Sequence, residues 1–198
     1  MDAGSSKGKK AIVNGREIPQ EAVQFELDRL VRFYMNHGMT VEEVKTNLAK
    51  LQDKALEQAI GARLLLDRAM QIDLPVTAKD IDAEVEKVVA QVGGRDNYEK
   101  ALAAQGITDA AFRKELEKGA KVNMLVNQAC AHVAEPTEEE VTAFYTANKA
   151  EYGAKTIVDV HDQIKDLLRH EARGRAMDIY VEELRESAQI EYKEGKHA

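Results

Sequence analysis

The chain has 198 residues, 44% of them hydrophobic and 32% charged, with a formal net charge of −7 and a pI near 5.4. That apolar share supports a packed core and excludes wholesale disorder, while the acidic balance disfavours phosphate-backbone binding, which needs clustered Lys and Arg. A single cysteine, Cys130, excludes an internal disulfide, and no apolar run reaches the roughly 18 residues of a membrane span.

Residues 1–10 read as a flexible tail rich in Gly, Ser and Lys, whose Lys7-Gly8-Lys9-Lys10 is the one basic run. No apolar h-region follows it, so both a mature secreted chain and a cytosolic chain fit. Ala11-Ile12-Val13 is β-prone, and Asn14-Gly15 marks a turn. Ile18-Pro19 opens a helix whose apolar face is Val23, Leu27, Leu30, Val31 and Tyr34; Gly38 is placed to end it. Thr40 and Glu43 form a capping box. The pattern Val41, Val44, Leu48, Leu51, Ala55, Ala59 and Leu64-Leu65-Leu66 then predicts one continuous helix of about eight turns. Gly61 inside it suggests a close helix crossing, and Pro75 ends it.

A second box, Thr77 with Asp80, opens a helix with Ile81, Val85, Val88, Val89 and Val92, which Gly93-Gly94 breaks. A short helix is predicted over 97–105, closed by Gly106. Thr108 caps a longer one with Phe112, Leu116, Val122, Leu125, Val126 and Ala129. Pro136-Thr137 with Glu140 is the third box, and its helix holds Val141, Phe144, Tyr145 and extends towards Tyr152. Gly153-Ala154-Lys155 is a short joint. The last helix spans about 158–188 through Val160, Ile164, Leu167, Leu168, Met177, Tyr180 and Leu184. Gln189–Tyr192 alternates like a strand and is the natural partner of Ala11–Asn14. The expected fold is therefore mainly α: an extended multi-helix build with a two-stranded sheet joining the chain ends.

No dinucleotide fingerprint, P-loop, zinc-protease or nucleophile-elbow motif is present in the sequence. Cys130 and His132 are two apart and point in different directions on a helix, which reads as a core cysteine beside a surface histidine. His161 and His170, among Asp159, Asp162, Asp166 and Glu171, read as solvated side chains rather than a zinc site. No catalytic residue, metal or cofactor is expected.

Ala11-Ile12-Val13-Asn14-Gly15-Arg16-Glu17-Ile18, a helix with Phe25, and the Ala- and Leu-rich stretch Leu56–Met70 follow one another in order. Pro75-Val76-Thr77-Ala78-Lys79-Asp80-Ile81, Gly106-Ile107-Thr108 before Phe112-Arg113, and Pro136-Thr137-Glu138-Glu139-Glu140-Val141 continue the series. In that order they resemble the SurA-like, parvulin-type foldase family, which includes SurA, PrsA and PpiD. The resemblance covers residues 11–192. It implies a helical chaperone domain in two parts, 11–152 and 156–192, with a 193–198 tail. It also implies that a prolyl-isomerase domain normally stands where this chain has only the 153–155 joint. Neither of that domain's signatures, a His-Ile-Leu strand and a Gly-Gly-Asp-Leu-Gly turn, occurs here. Natural loss and excision both explain the joint, and its abruptness favours excision.

The resemblance further implies an ATP-independent holdase for unfolded polypeptides in the bacterial periplasm or cell envelope, with isomerase activity belonging to longer relatives. Apolar residues suited to adaptable contact are Phe25, Phe33, Tyr34, Met35 and Met39 near the end of the first helix, with Phe112, Met124 and Tyr145 further along. Each has two readings, client contact or core packing. Exchange of the C-terminal helix between two copies would give a homodimer if the joint is too short to fold back. The alternative to a chaperone is a helical adaptor that binds one folded partner.

Overall fold

The structure, a computed structural model, describes residues 9–193. Most of the expected 1–10 tail and nearly all of the 193–198 tail lie outside the described residues; Lys10 and Lys193 are strand residues. The chain forms two compact units, one of residues 1–122 with 183–198 and the other of Asn123–Glu182.

In the first unit the chain ends meet in an antiparallel sheet of β1 (Lys10–Val13), β2 (Arg16–Glu17) and β3 (Ile190–Lys193), ordered β2-β1-β3. The β1–β3 pairing expected from sequence is present, with Ala11 opposite Tyr192 and Val13 opposite Ile190. The expected two-stranded sheet is corrected to three. Asn14 (φ 49°) and Gly15 (φ 77°) both take the left-handed backbone of a two-residue hairpin turn, so Arg16 and Glu17 fold back beside β1. Beyond the ladder, Asn14 N–H donates to the Gln189 carbonyl at 2.8 Å and Gln189 N–H donates to Asn14 Oδ1 at 3.0 Å. The sheet thus closes within one chain.

Helix α1 (Gln20–Asn36) buries Val23, Leu27 and Leu30 and ends at Gly38 (φ 94°), where Met39 N–H reaches back to the Tyr34 carbonyl. The Thr40–Glu43 box forms as expected, but the long helix after it is interrupted. It divides into α2 (Val41–Thr46) and α3 (Leu48–Gln71). At the break, Asn47 Nδ2 donates to the Glu43 carbonyl at 2.8 Å, so the side chain competes for helix acceptors and the backbone locally unwinds. Helix α3 carries Leu51, Ala55, Leu56, Ala59, Ile60 and Leu64 into a core shared with α1 and with Ala11 and Val13 of β1; Gly61 is buried on the same helix.

A second cluster in this unit joins α4 (Ala78–Gln91), α5 (Arg95–Ala104) and the start of α6 (Asp109–Ala129) through Ile81, Val85, Val89, Tyr98 and Leu102, with Phe112 and Leu116 packed against it. The Thr77–Asp80 box opens α4.

In the second unit α7 (Glu138–Ala147) starts at the Thr137–Glu140 box. Its expected extension to Tyr152 is broken at Asn148, whose Nδ2 donates to the Phe144 carbonyl at 2.8 Å, as Asn47 does to Glu43; a short α8 (Lys149–Tyr152) follows. Helix α9 (Ile157–Glu186) supplies Val160 and Ile164, which pack on Val141 with Phe144, Tyr145, Tyr152 and Leu168 around them. Thr156 opens α9, its backbone N–H and hydroxyl both donating to Asp159 at 2.7 Å. Among the described residues no helix is long and apolar enough to cross a membrane.

Candidate functional site

Helix α1 presents two faces of different character. Val23, Leu27, Leu30 and Val31 turn into the core, and Tyr34 packs against it. Phe25 and Phe33 are off that stripe, and they are 68% and 54% exposed; Met35 is 44% exposed. Helical spacing explains the split, since Phe25 stands about 160° from both the Val23 and Leu27 directions, on the outward side.

Side chains around Phe33 form a contiguous cluster. Its ring lies 4.2 Å from the His37 ring and meets Tyr34 edge-on at 5.4 Å. His37 Nδ1, in its protonated form, donates to the Phe33 carbonyl at 2.7 Å. Lys54 of α3 donates to the Tyr34 hydroxyl at 2.9 Å and sits 5.4 Å from that ring's centre. Val41 at the start of α2 and Leu48 at the start of α3 are also exposed.

The other sequence candidates are placed differently. Met39 is half-buried in the loop after α1. Phe112 packs into the second cluster, its ring 5.7 Å from Tyr98. Met124 and Tyr145 belong to the second unit and are half-buried; Tyr145 stacks on Tyr152 at 5.7 Å and its hydroxyl donates to the Lys155 carbonyl at 2.8 Å. The structure therefore leaves Phe25, Phe33 and Met35 exposed on the outward side of α1, with Phe33 and Met35 on its two flanks, and packs Phe112 and Tyr145 against neighbouring side chains. Arg32, His37 and Lys54 were not among the sequence candidates. A signal existed for the first two, because residues 29–41 contain no Asp or Glu in a chain of net charge −7.

The polar groupings elsewhere are braces. Tyr98, 2% exposed, donates its hydroxyl to Asp109 at 2.6 Å, and burial followed by that bond pushes its pKa up to about 12. Arg113 links Asp109 to Asp82. The open cleft beside them, about 690 Å³, is lined by Arg95, Tyr98, Leu102, Ile107 and Asp109. Its arginine is already paired with Glu86 and set over the Tyr98 ring. Cys130 is buried and its thiol lies 3.8 Å from the Arg173 carbonyl, while His132 is exposed. His161 is held between Glu138 (2.7 Å) and Asp162 (3.0 Å), which raise its pKa, the Asp162 bond contributing most. No group of three or more His, Cys, Asp or Glu able to hold a metal occurs among the described residues.

A family model described as the SurA-like N-terminal domain matches residues 1–126, more than half of the chain. The chain belongs to that family. This SurA-like chain is 28% identical over 120 residues to the foldase protein PrsA of Exiguobacterium sibiricum, covering 58% of the chain and 38% of the relative. Against the foldase protein PrsA of Clostridium perfringens it is 23% identical over 159 residues, covering 77% and 46%. For the Streptococcus gordonii protein of the same name the figures are 28% over 139 residues, covering 66% and 43%. The SurA-like chain thus spans less than half the length of the curated relatives it matches.

Proposed function

We propose that this SurA-like chain is the polypeptide-holding part of a bacterial cell-envelope foldase, binding unfolded or partly folded clients without ATP. The observation that carries this reading is the outer face of α1, where Phe25, Phe33 and Met35 project from a helix whose opposite side is fully engaged in the core. Exposed aromatic and methionine side chains on a rigid helix suit varied apolar partners, because they offer area and adaptable packing at little ordering cost. Kinship with proteins named foldases points the same way. The periplasm or cell envelope is the compartment this kinship suggests.

Prolyl isomerisation belongs, on this reading, to longer relatives. The joint is suited to an inserted domain, since Lys155 N–H donates to the Tyr152 carbonyl at 3.1 Å and the flanking ends are adjacent. Within the single chain described, β3 pairs with β1. A dimer made by helix exchange would appear as a doubled mass in light scattering.

The test is aggregation suppression. A chemically unfolded, unrelated protein is diluted with and without this chain, with no nucleotide, and light scattering is followed. Suppression near equal molar ratio is expected for several unrelated clients. No suppression by a folded chain overturns the reading and favours an adaptor with one folded partner.

A further inference from the structure

We propose that the C-terminal half of α1 selects client segments in which aromatic or aliphatic side chains stand beside carboxylates. The inference rests on the holding role and names the kind of polypeptide that face prefers.

Its basis is a mismatch in how charges are satisfied around Phe33. The surrounding carboxylates are engaged within the chain: Glu26 pairs with Arg29 at 2.8 Å, Asp28 accepts from Gln24, Glu42 pairs with Lys45, Glu43 closes the Thr40 box, and Asp53 pairs with Lys9. Arg32 and Lys54 are among the cations not matched in this way. Arg32, exposed and one residue before Phe33, makes no ion pair or hydrogen bond among the described residues. Lys54 meets the Tyr34 hydroxyl and ring but no carboxylate.

An extended segment crossing this face would lay an apolar side chain on Phe33. Its neighbouring carboxylate would come within reach of Arg32 or Lys54 and accept a charge-assisted hydrogen bond. Elsewhere the net charge of −7 repels such a segment, so attraction is concentrated here. An Asn in the client would accept only a weaker bond from Arg32, without the charge pairing of a carboxylate, and Lys is repelled by it.

The experiment uses the full chain and three twelve-residue peptides carrying a neutral dye, alternating Phe with Asp, with Asn or with Lys; binding is read by fluorescence anisotropy. The Phe–Asp peptide is expected to bind about tenfold tighter than Phe–Asn at low salt, two exposed ion pairs being worth about that factor. The advantage shrinks as salt rises. In the Arg32→Glu, Lys54→Glu double variant the order reverses, and in Arg32→Gln alone the advantage is about halved on a logarithmic scale. Equal binding of all three peptides, with aggregation suppression intact, overturns the charge selection and leaves the holding role standing. Tighter binding of Phe–Lys does the same, since the overall negative charge then governs. Absence of both peptide binding and suppression overturns the holding role and this inference with it.

Discussion

Replacing Phe25 and Phe33 together by Ala separates client binding from folding. An aromatic side chain offers roughly 150–250 Å², so exposures of 68% and 54% leave about 240 Å² of ring surface in water. If a client covers half of it, at about 25 cal/mol per Å² the lost burial is about 3 kcal/mol, or roughly 150-fold in affinity. The folded state has little to lose. Neither ring belongs to the core, Ala is the better helix former, and only the Phe33 contacts with Tyr34 and His37 disappear, worth about 0.5–1 kcal/mol. The variant should melt within a few degrees of the parent and bind an unfolded client far more weakly in anisotropy titrations. Aggregation suppression should fall in step. A double variant with unchanged affinity and unchanged helicity would falsify the assignment of this face.

Four further outcomes follow from the packing. Ile164→Ala should cost about 2–5 kcal/mol, since Ile164 is fully buried between α7 and α9, and denaturant unfolding monitored on the second unit checks it. Tyr98→Phe removes a hydrogen bond to the Asp109 carboxylate and should lower stability by about 1–2 kcal/mol, less than a fully buried pair because Asp109 regains water. Asn14→Ala loses both the residue suited to φ 49° and the acceptor for Gln189 N–H; about 1–2 kcal/mol is expected, with faster hydrogen exchange at Tyr192 and Lys193. The His161–Glu138 contact should stabilise within a pH window. His161 is raised above its ordinary 6.5, so its contribution is full below 6.5 and lost as pH rises through the folded value. Glu138 is lowered below 4.5, chiefly by the His161 bond, so its contribution is full above 4.5 and lost as pH falls. The melting-temperature advantage over His161→Gln should therefore peak between those values, and a flat difference from pH 4 to 8 would count against the contact.

Local signals carried most of the fold into view from sequence. The three Thr capping boxes each open a helix where expected, because the hydroxyl and the acid three residues on satisfy backbone groups with no help from distant chain. The end-to-end strand pairing was legible for a different reason: only two segments had β character and neither could stand alone. What escaped was either very short or non-local. Arg16–Glu17 is too brief for an alternating pattern. Asn47 and Asn148 interrupt helices whose apolar periodicity continues across the break, so a stripe alone does not reveal them. The Arg185–Glu57 and Tyr192–Glu57 contacts, which hold the end of α9 and β3 on α3, join residues more than a hundred positions apart. At the candidate site, Phe25 and Phe33 lie off the core stripe of α1, but the sequence left both readings open for every candidate; Phe112 and Tyr145 occupy their own helices' apolar stripes.

The distribution of aromatic residues bears on why α1 is built this way. The chain has four Phe and no Trp, so large rings are scarce. A helical protein with few rings gains most stability by burying them, yet two of the four are more than half exposed on one helix while Leu, Ile, Val and Ala fill the cores beneath. Leaving about 240 Å² of aromatic surface in water forgoes several kcal/mol of possible burial, a substantial fraction of ordinary domain stability. Folding alone does not account for that placement, since the α1 core stripe is already complete with Val23, Leu27 and Leu30. A partner that covers Phe25 and Phe33 does account for it. On the proposed reading, Arg32, next in sequence to Phe33, and Lys54, set on Tyr34, would give that partner a sign of charge as well as an apolar character.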